Sequence, residues 1–306
     1  MVTYQPSSTT ELAALLADAH ERATPLRVAG RGTWPEATQR VHAGAATLDV
    51  SAIAGIVEYV PGDLTLTARA GTTIAEIDAA TAPHGQWCPL LPWGGDSGTL
   101  GATMATATPG PCAAALGAPR DLALGLEFVD GAGRVARGGG RVVKNVAGFD
   151  LTRLLVGSWG TLGVITEVSV RLRARAPVDE TWCLALDADD AALRGRLVSF
   201  RRGPYAPLAC AALYGAAARA AGLAHDGVLL RLGGNAAFVA ASRTALRAVG
   251  GMTPCDAAIW HRVRTVHAAP VLESLPHALD RPLERRVKRQ FDPRDILNRG
   301  LFAEVA

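Results

Sequence analysis

Two glycine-bearing segments hold the residues best suited to chemistry. The first, Gly30-Arg31-Gly32-Thr33-Trp34, follows the apolar run Leu26 to Ala29. A strand that delivers a glycine loop is the outline of a phosphate cradle. Glycines let the backbone approach a pyrophosphate, and successive amide N–H groups point at the anion. A tight strand-exit turn with no ligand accounts for the same residues. The second segment, Pro89 to Pro111, is almost entirely glycine, proline and small residues. No periodic face survives in it, so it does not read as an ordinary core element. A flexible loop is the bland reading. A structureless stretch of this length inside a compact domain is usually functional, however. Its small side chains would let the chain lie along an extended ligand and donate backbone hydrogen bonds to it.

Acid–base and metal chemistry find less support. The seven histidines form no His-x-x-x-His or Glu-His arrangement. His20, His42 and His84 fall in helices or turns, and His225, His261, His267 and His277 are scattered through the C-terminal part; each reads as a surface or capping histidine. Cys88, Cys112, Cys183, Cys210 and Cys255 are widely spaced, with no Cys-x-x-Cys. That spacing argues against a disulfide framework, a zinc site or an iron–sulfur cluster, and the thiols are expected to be reduced and mostly buried. The formal charge of +3 is spread along the chain without a nucleic-acid stripe. No apolar run reaches the roughly 18 residues that cross a bilayer. The N-terminus has neither the basic start nor the apolar core of a signal peptide, so a cytoplasmic protein is expected.

The elements that must position these segments follow from period and punctuation. Thr9 or Thr10 is expected to open a helix with Leu12, Leu15, Leu16 and Ala19 on one face, ended by Pro25. Strands are expected at Leu26 to Ala29 and Thr47 to Val50. A hairpin over Ile56 to Ala70 should turn at Pro61-Gly62-Asp63. Thr72 or Thr73 should cap a helix carrying Ile74 and Ile77. Asp150 should cap a short helix with Leu151, Leu154 and Leu155, stopped by Gly157. Strict alternation then places Val164, Thr166, Val168, Val170 and Leu172 on one face of a strand, with Glu167, Ser169, Arg171 and Arg173 on the other. Beyond about Ala176 a second βαββα series is expected, with strands near Thr181 to Leu186, Leu208 to Tyr214 and Val228 to Leu232. Its helices should span Asp189 to about Arg201 and Ala236 to Val249.

The wording of Val142 to Val170, VVKNVAGFDLTRLLVGSWGTLGVITEVSV, resembles the flavin-binding domain shared by vanillyl-alcohol-oxidase-type (PCMH-type) FAD enzymes. Within that family it looks like the E-subunit branch of bacterial glycolate oxidases. A Lys-Asn-x-Ala-Gly-aromatic-Asp run there leads into a Gly-x-x-Gly-x-Leu-Gly turn. The resemblance extends to Thr99, Gly101, Ala105, Thr106 and Gly110 in the family's second glycine segment, and to Arg120-Asp121 with the strand after it. The tail starting at Arg285 resembles the family's closing Phe-Asp-Pro segment, and its basic residues read as a solvated helix face.

The resemblance implies an α+β protein: a PCMH-type FAD-binding domain of two subdomains over residues 1–175, and a reduced, ferredoxin-like α+β cap over 176–280. A segment over 281–306 would return to the FAD domain. FAD would be bound non-covalently, because the first loop lacks the histidine that covalent relatives use. Carried over by position, Val28, Gly30, Arg31, Gly32, Thr33 and Trp34 would hold the pyrophosphate. Pro92, Gly94, Gly95, Ser97, Thr99, Gly101, Ala105, Thr106 and Gly110 would run along the cofactor. Gly163, Val164 and Ile165 would meet it through the backbone. The implied function is that of an FAD-binding subunit acting on a small 2-hydroxy acid such as glycolate, beside a catalytic D-type flavoprotein subunit and an iron–sulfur subunit. A self-sufficient FAD-dependent oxidoreductase of a small hydroxy acid or alcohol is the alternative.

Overall fold

The computed structural model describes residues 2–33, 41–92, 94–140, 150–186, 191–266 and 282–301. Trp34, the run 142–149 with Lys144, His267 and His277 lie outside them.

The first subdomain comprises Thr3–Tyr4 (β1), the helix Thr9–Glu21 (α1), Leu26–Ala29 (β2) and Ala46–Asp49 (β3). The strands form a parallel sheet in the order β1-β3-β2. Ser8, one residue ahead of the expected threonines, caps α1 by accepting from the Glu11 N–H. Leu12, Leu16 and Ala19 are buried as the period requires, and they pack on Leu26, Leu48 and Ile53.

The second subdomain runs through Ile56–Val60 (β4), Thr65–Arg69 (β5), Ile74–Thr81 (α2), Gln86–Trp87 (β6), Leu100–Thr106 (α3), Ala113–Leu116 (α4), Pro119–Leu122 (α5), Ala123–Val129 (β7), Val135–Gly139 (β8), Leu151–Leu155 (α6), Val164–Arg171 (β9) and Arg173–Ala174 (β10). Its main sheet is five-stranded and antiparallel, in the order β4-β5-β9-β7-β8. Thr73 caps α2 in a full capping box with Glu76, and Asp150 caps α6 through the Arg153 N–H at 2.9 Å. Gly157 follows α6 with φ +86°, the left-handed region that favours glycine.

Strict alternation fails in one place along β9. The pairing with β7 slips between Glu127 and Phe128, so Thr166 forms a bulge. Val164 therefore joins the α1 cluster, whereas Val168, Val170 and Leu172 pack with Ile165 in the core of the second subdomain. The Thr166 hydroxyl, fully buried, donates to Glu127 at 2.8 Å. Glu127 also accepts from Thr9 of α1 and pairs with Arg137, which ties the two subdomains together.

Val178–Ala185 (β11), Ala191–Arg202 (α7), Ala209–Leu213 (β12), Gly215–Ala220 (α8), Gly227–Gly234 (β13), Ala236–Arg247 (α9) and Met252–Cys255 (β14) build the cap. Its antiparallel sheet has the order β12-β13-β11-β14, the ferredoxin-like arrangement. The fourth strand, β14, falls in a region whose sequence gave no strand signal; it contains Pro254, which a sheet tolerates on an edge. The cap has its own core around Leu193, Leu197, Leu230, Leu232 and Leu246. A second cluster joins it to the second subdomain: Trp87 and Cys112 pack with Leu213, Leu229, Ile259, Trp260 and Val263. The last three belong to Ile259–Val266 (α10).

The chain ends with Pro282–Phe291 (α11) and an extended run beside β2, where Leu26 N–H donates to Ile296 O and Asn298 N–H to Leu26 O. One expectation about this tail is corrected. Lys288 does not lie on a solvated face: it is buried and donates to Thr161 O at 2.9 Å and to Asp292 at 2.5 Å. Asp292, one turn later and itself buried, is the partner that brings Lys288 inward.

Candidate functional site

The first glycine loop and the second face each other across a cleft between the subdomains. Residues Val28 to Thr33 form one wall, delivered by β2. The opposite wall comes from Pro92, Gly98, Thr99 and the inward side of α3. Trp159, Gly160, Gly163, Val164 and Ile165 line the base, and Asn298 and Leu301 of the tail close one end.

The second segment is not structureless, and this corrects its reading as something other than a core element. Thr99 caps α3, and Leu100 and Met104 are fully buried in the core. The helix escaped notice because Gly101, Thr103 and Thr106 dilute its apolar period. Gly101 is small for a reason unlike that expected: a Cβ there would stand 2.5 Å from the Ala70 Cβ, on the core side. Its N–H donates to Ala70 O at 2.8 Å, which brings the start of α3 onto the end of β5. Gly110 and Gly163 are likewise held against protein, at Leu91 O and at the Phe128 ring.

Gly30 behaves differently. A Cβ there would meet the Thr99 hydroxyl at 2.6 Å, so the two loops approach each other as only a glycine allows. Gly32, with φ +65°, faces open space instead. A backbone cradle with bare glycine faces toward the cleft fits the pyrophosphate of a dinucleotide such as FAD, because little side-chain bulk intervenes. Val28, Gly30, Arg31, Gly32 and Thr33 would hold the pyrophosphate side, and Thr99, Thr103 and Thr106 line the wall across from them.

Of the residues singled out from sequence, Val28, Gly30, Arg31, Gly32, Thr33, Pro92, Thr99, Gly101, Ala105, Thr106, Gly163, Val164 and Ile165 line this cleft. Gly94, Gly95 and Ser97 lie in the loop just before Gly98 and do not line it, and neither does Gly110. Trp34 lies outside the described residues. Sequence reasoning missed Trp159 and Asn298. Trp159 has φ +55° and donates its N–H to Ala105 O, while its carbonyl accepts from Asn298 Nδ2 at 2.7 Å. Asn298 Oδ1 accepts from the Val28 N–H at 2.8 Å. One side chain thus bridges the first loop and the glycine turn. The Leu-Asn pair in the tail was the available signal.

The buried thiols of Cys88 and Cys112 are poor nucleophiles. Burial pushes Cys88 up to about 12 and raises Cys112, which lies 3.9 Å from Arg231 Nη1. Among the described residues no group of His, Cys, Asp and Glu is arranged to hold a metal ion, and no helix is long and apolar enough to cross a membrane.

Residues 2–139 match the family described as FAD binding domain. Over 130 residues, 42% of this chain and 37% of the relative, the protein is 46% identical to glycolate oxidase subunit GlcE of Escherichia coli (strain K12). It is 32% identical over 187 residues, 61% of this chain and 40% of the relative, to glycolate oxidase subunit GlcD of Bacillus subtilis (strain 168). These matches span well under half the length of either relative. Among solved structures, an alkyldihydroxyacetonephosphate synthase superposes with a TM-score of 0.68 at 17% identity, covering 86% of this chain and 53% of that one; this likeness speaks for the fold. The fold, the cleft and the match over residues 2–139 agree on an FAD-binding fold of the PCMH type. The match over residues 2–139 makes FAD the cofactor of this cleft, and the chain is similar to the glycolate oxidase subunits.

Proposed function

We propose that the chain is the FAD-binding subunit of a heteromeric glycolate (2-hydroxy acid) oxidase or dehydrogenase. It works in the cytoplasm, or peripherally at the inner membrane through its partners, beside a catalytic flavoprotein subunit and an iron–sulfur subunit. The observation that carries this reading is the 46% identity to a protein named as a glycolate oxidase subunit. The FAD cleft, formed by two glycine loops that meet at Gly30 and Thr99, supports it. Bound FAD supplies the electron-accepting chemistry. The chain's own residues bind it, orient it and shield it: the loops through backbone groups, Ile165 and Val164 through apolar contact, and Asn298 by fixing the loop that carries Val28.

Positioning a hydroxy acid and removing its proton supply much of the rate in such reactions. Among the described residues the histidines are not grouped for that work. The isolated chain is therefore expected to oxidise glycolate or D-lactate negligibly with an artificial electron acceptor. Turnover should appear when a D-type flavoprotein subunit and an iron–sulfur subunit are added, and the three should co-purify. Turnover by the chain alone at about 1–1000 per second would overturn the subunit reading in favour of a self-sufficient oxidoreductase.

The mode of FAD attachment is tested separately. The first loop, Gly30 to Thr33, offers no histidine or cysteine for a covalent bond. Acid precipitation of the purified protein should leave the yellow colour in the supernatant, in about equal molar amount to protein. Flavin that stays in the pellet would disprove non-covalent binding.

A further inference from the structure

We propose that the cap holds the second glycine loop in its cofactor-binding shape through Arg264, a positioning residue for FAD. The loop from Gly94 to Gly98 has little structure of its own. Gly94 and Gly95 both lie in the left-handed region, at φ +96° and +97°, and glycines lose more backbone freedom than other residues when they are fixed. One side of the loop is fastened to α2: Ile74 N–H donates to Gly98 O and Ala75 N–H to Asp96 O. The other side is fastened to α10. Gly94 N–H donates to the Arg264 carbonyl at 3.0 Å, and Arg264 Nη1 donates to Asp96 Oδ1 at 2.6 Å.

The pair is asymmetric in a telling way. Arg264's side chain is 5% exposed and Asp96's is 42% exposed. The carboxylate has been brought to the guanidinium from the loop, at the surface of the cap. His261, one turn earlier on α10, stands with Nδ1 3.6 Å from Asp96 Oδ2. Burial alone would raise the Asp96 carboxyl, but the hydrogen bond and charge of Arg264, with His261 adding to them, hold it below the usual carboxylate range. The helix is itself anchored: Trp260 Nε1 donates to Thr181 on the cap sheet at 3.0 Å, and Ile259 and Val263 pack among Trp87, Cys112 and Leu213. Arg264 is thus a fixed post to which the loop is tied.

What the tie controls lies next to it in sequence. Pro92 upstream and Gly98 and Thr99 downstream line the cleft, and Thr99 is also the residue that meets Gly30 of the first loop. Freeing Asp96 and Gly94 lets the stretch between Pro92 and Thr99 move, and the wall of the cleft moves with it. The cap, although it contributes none of the FAD-lining residues named above, thereby sets how tightly the cofactor is retained.

This inference rests on the reading that the cleft takes FAD. Its test uses the full chain, stripped of flavin and titrated with FAD by fluorescence, with FAD release followed after dilution. Arg264→Gln should raise the dissociation constant about ten- to a hundredfold, the range for a lost charge-assisted hydrogen bond. Arg264→Lys should recover part of it. Asp96→Asn, at a half-exposed position that folding tolerates, should weaken binding on its own and add nothing in the Arg264→Gln background. Unchanged FAD affinity in Asp96→Asn and in folded Arg264→Gln protein would overturn the proposal, with the FAD cleft itself intact. Additive losses in the double variant would also overturn it, because a general structural defect would be additive where a single tie is not. A parent chain that takes up no FAD would overturn the cofactor reading as well.

Discussion

Gly101→Asp should give a protein that purifies without flavin and cannot be reconstituted with it. The physical reason lies in the core rather than in the cofactor. The new Cβ would fall 2.5 Å from the Ala70 Cβ and 3.1 Å from Ala70 O, and both are held: Ala70 is 1% exposed, and its carbonyl accepts the Gly101 N–H. Neither the end of β5 nor the first turn of α3 can give way without moving Thr99, whose hydroxyl caps the helix and faces Gly30. A carboxylate at this place would also lose its hydration without a partner, at a cost of several kcal/mol. Cys112→Ala is the matching control. It removes a buried sulfur near the cap, away from the cleft, and should leave FAD content near that of the parent. Equal flavin content in Gly101→Asp and parent protein, read from the visible absorbance, would show that α3 is not a wall of the cofactor site.

The second large effect concerns α11. Lys288→Met should destabilise the protein by about 3–5 kcal/mol, the range for breaking one side of a buried ion pair. Asp292, whose side chain is fully buried, would lose the ammonium 2.5 Å away and keep only the N–H groups of Ile296 and Leu297. Thr161 O would lose a donor as well. Adding Asp292→Asn to Lys288→Met should restore part of the loss, because the uncompensated charge is then gone. Urea unfolding measures both. The shift should fall on the transition reported by flavin release, since the tail packs on the FAD side. An unchanged midpoint for Lys288→Met would mean that the pair does not hold the tail in place.

Much of this architecture was legible because its signals are local. Leu26 to Ala29 is a strand with the bounds its composition suggests, Thr73 and Asp150 cap their helices, and Gly157 stops one. The βαββα series of the cap was visible because each element is long and periodic. What sequence hid depends on partners far along the chain. The bulge at Thr166 follows from the hydroxyl's bond to Glu127 and cannot be read from β9 alone. The α3 helix was masked by glycine and threonine, whose presence reflects the close approach to Ala70 and not a want of structure. In the cleft, residues on the two loops were found from the glycines, whereas Asn298 was missed because its contacts are with Val28 and Trp159, residues distant in sequence. Arg264 and Asp96 escaped for the same reason: an ion pair between the loop and the cap leaves no periodic trace.

The return of the tail to β2 also fixes an order of events during synthesis. The Val28 N–H waits for Asn298, which is made 270 residues later. The first sheet, α1 and the β4–β5 hairpin can assemble while translation continues, because their contacts are near in sequence. The end of the cleft lined by Asn298 and Leu301 cannot. A ribosome-bound chain that has emerged only as far as the cap therefore exposes an unfinished flavin site, open where the tail will lie. Cofactor retention is therefore expected to be strongest in chains made through Leu301, in which Asn298 has met Val28.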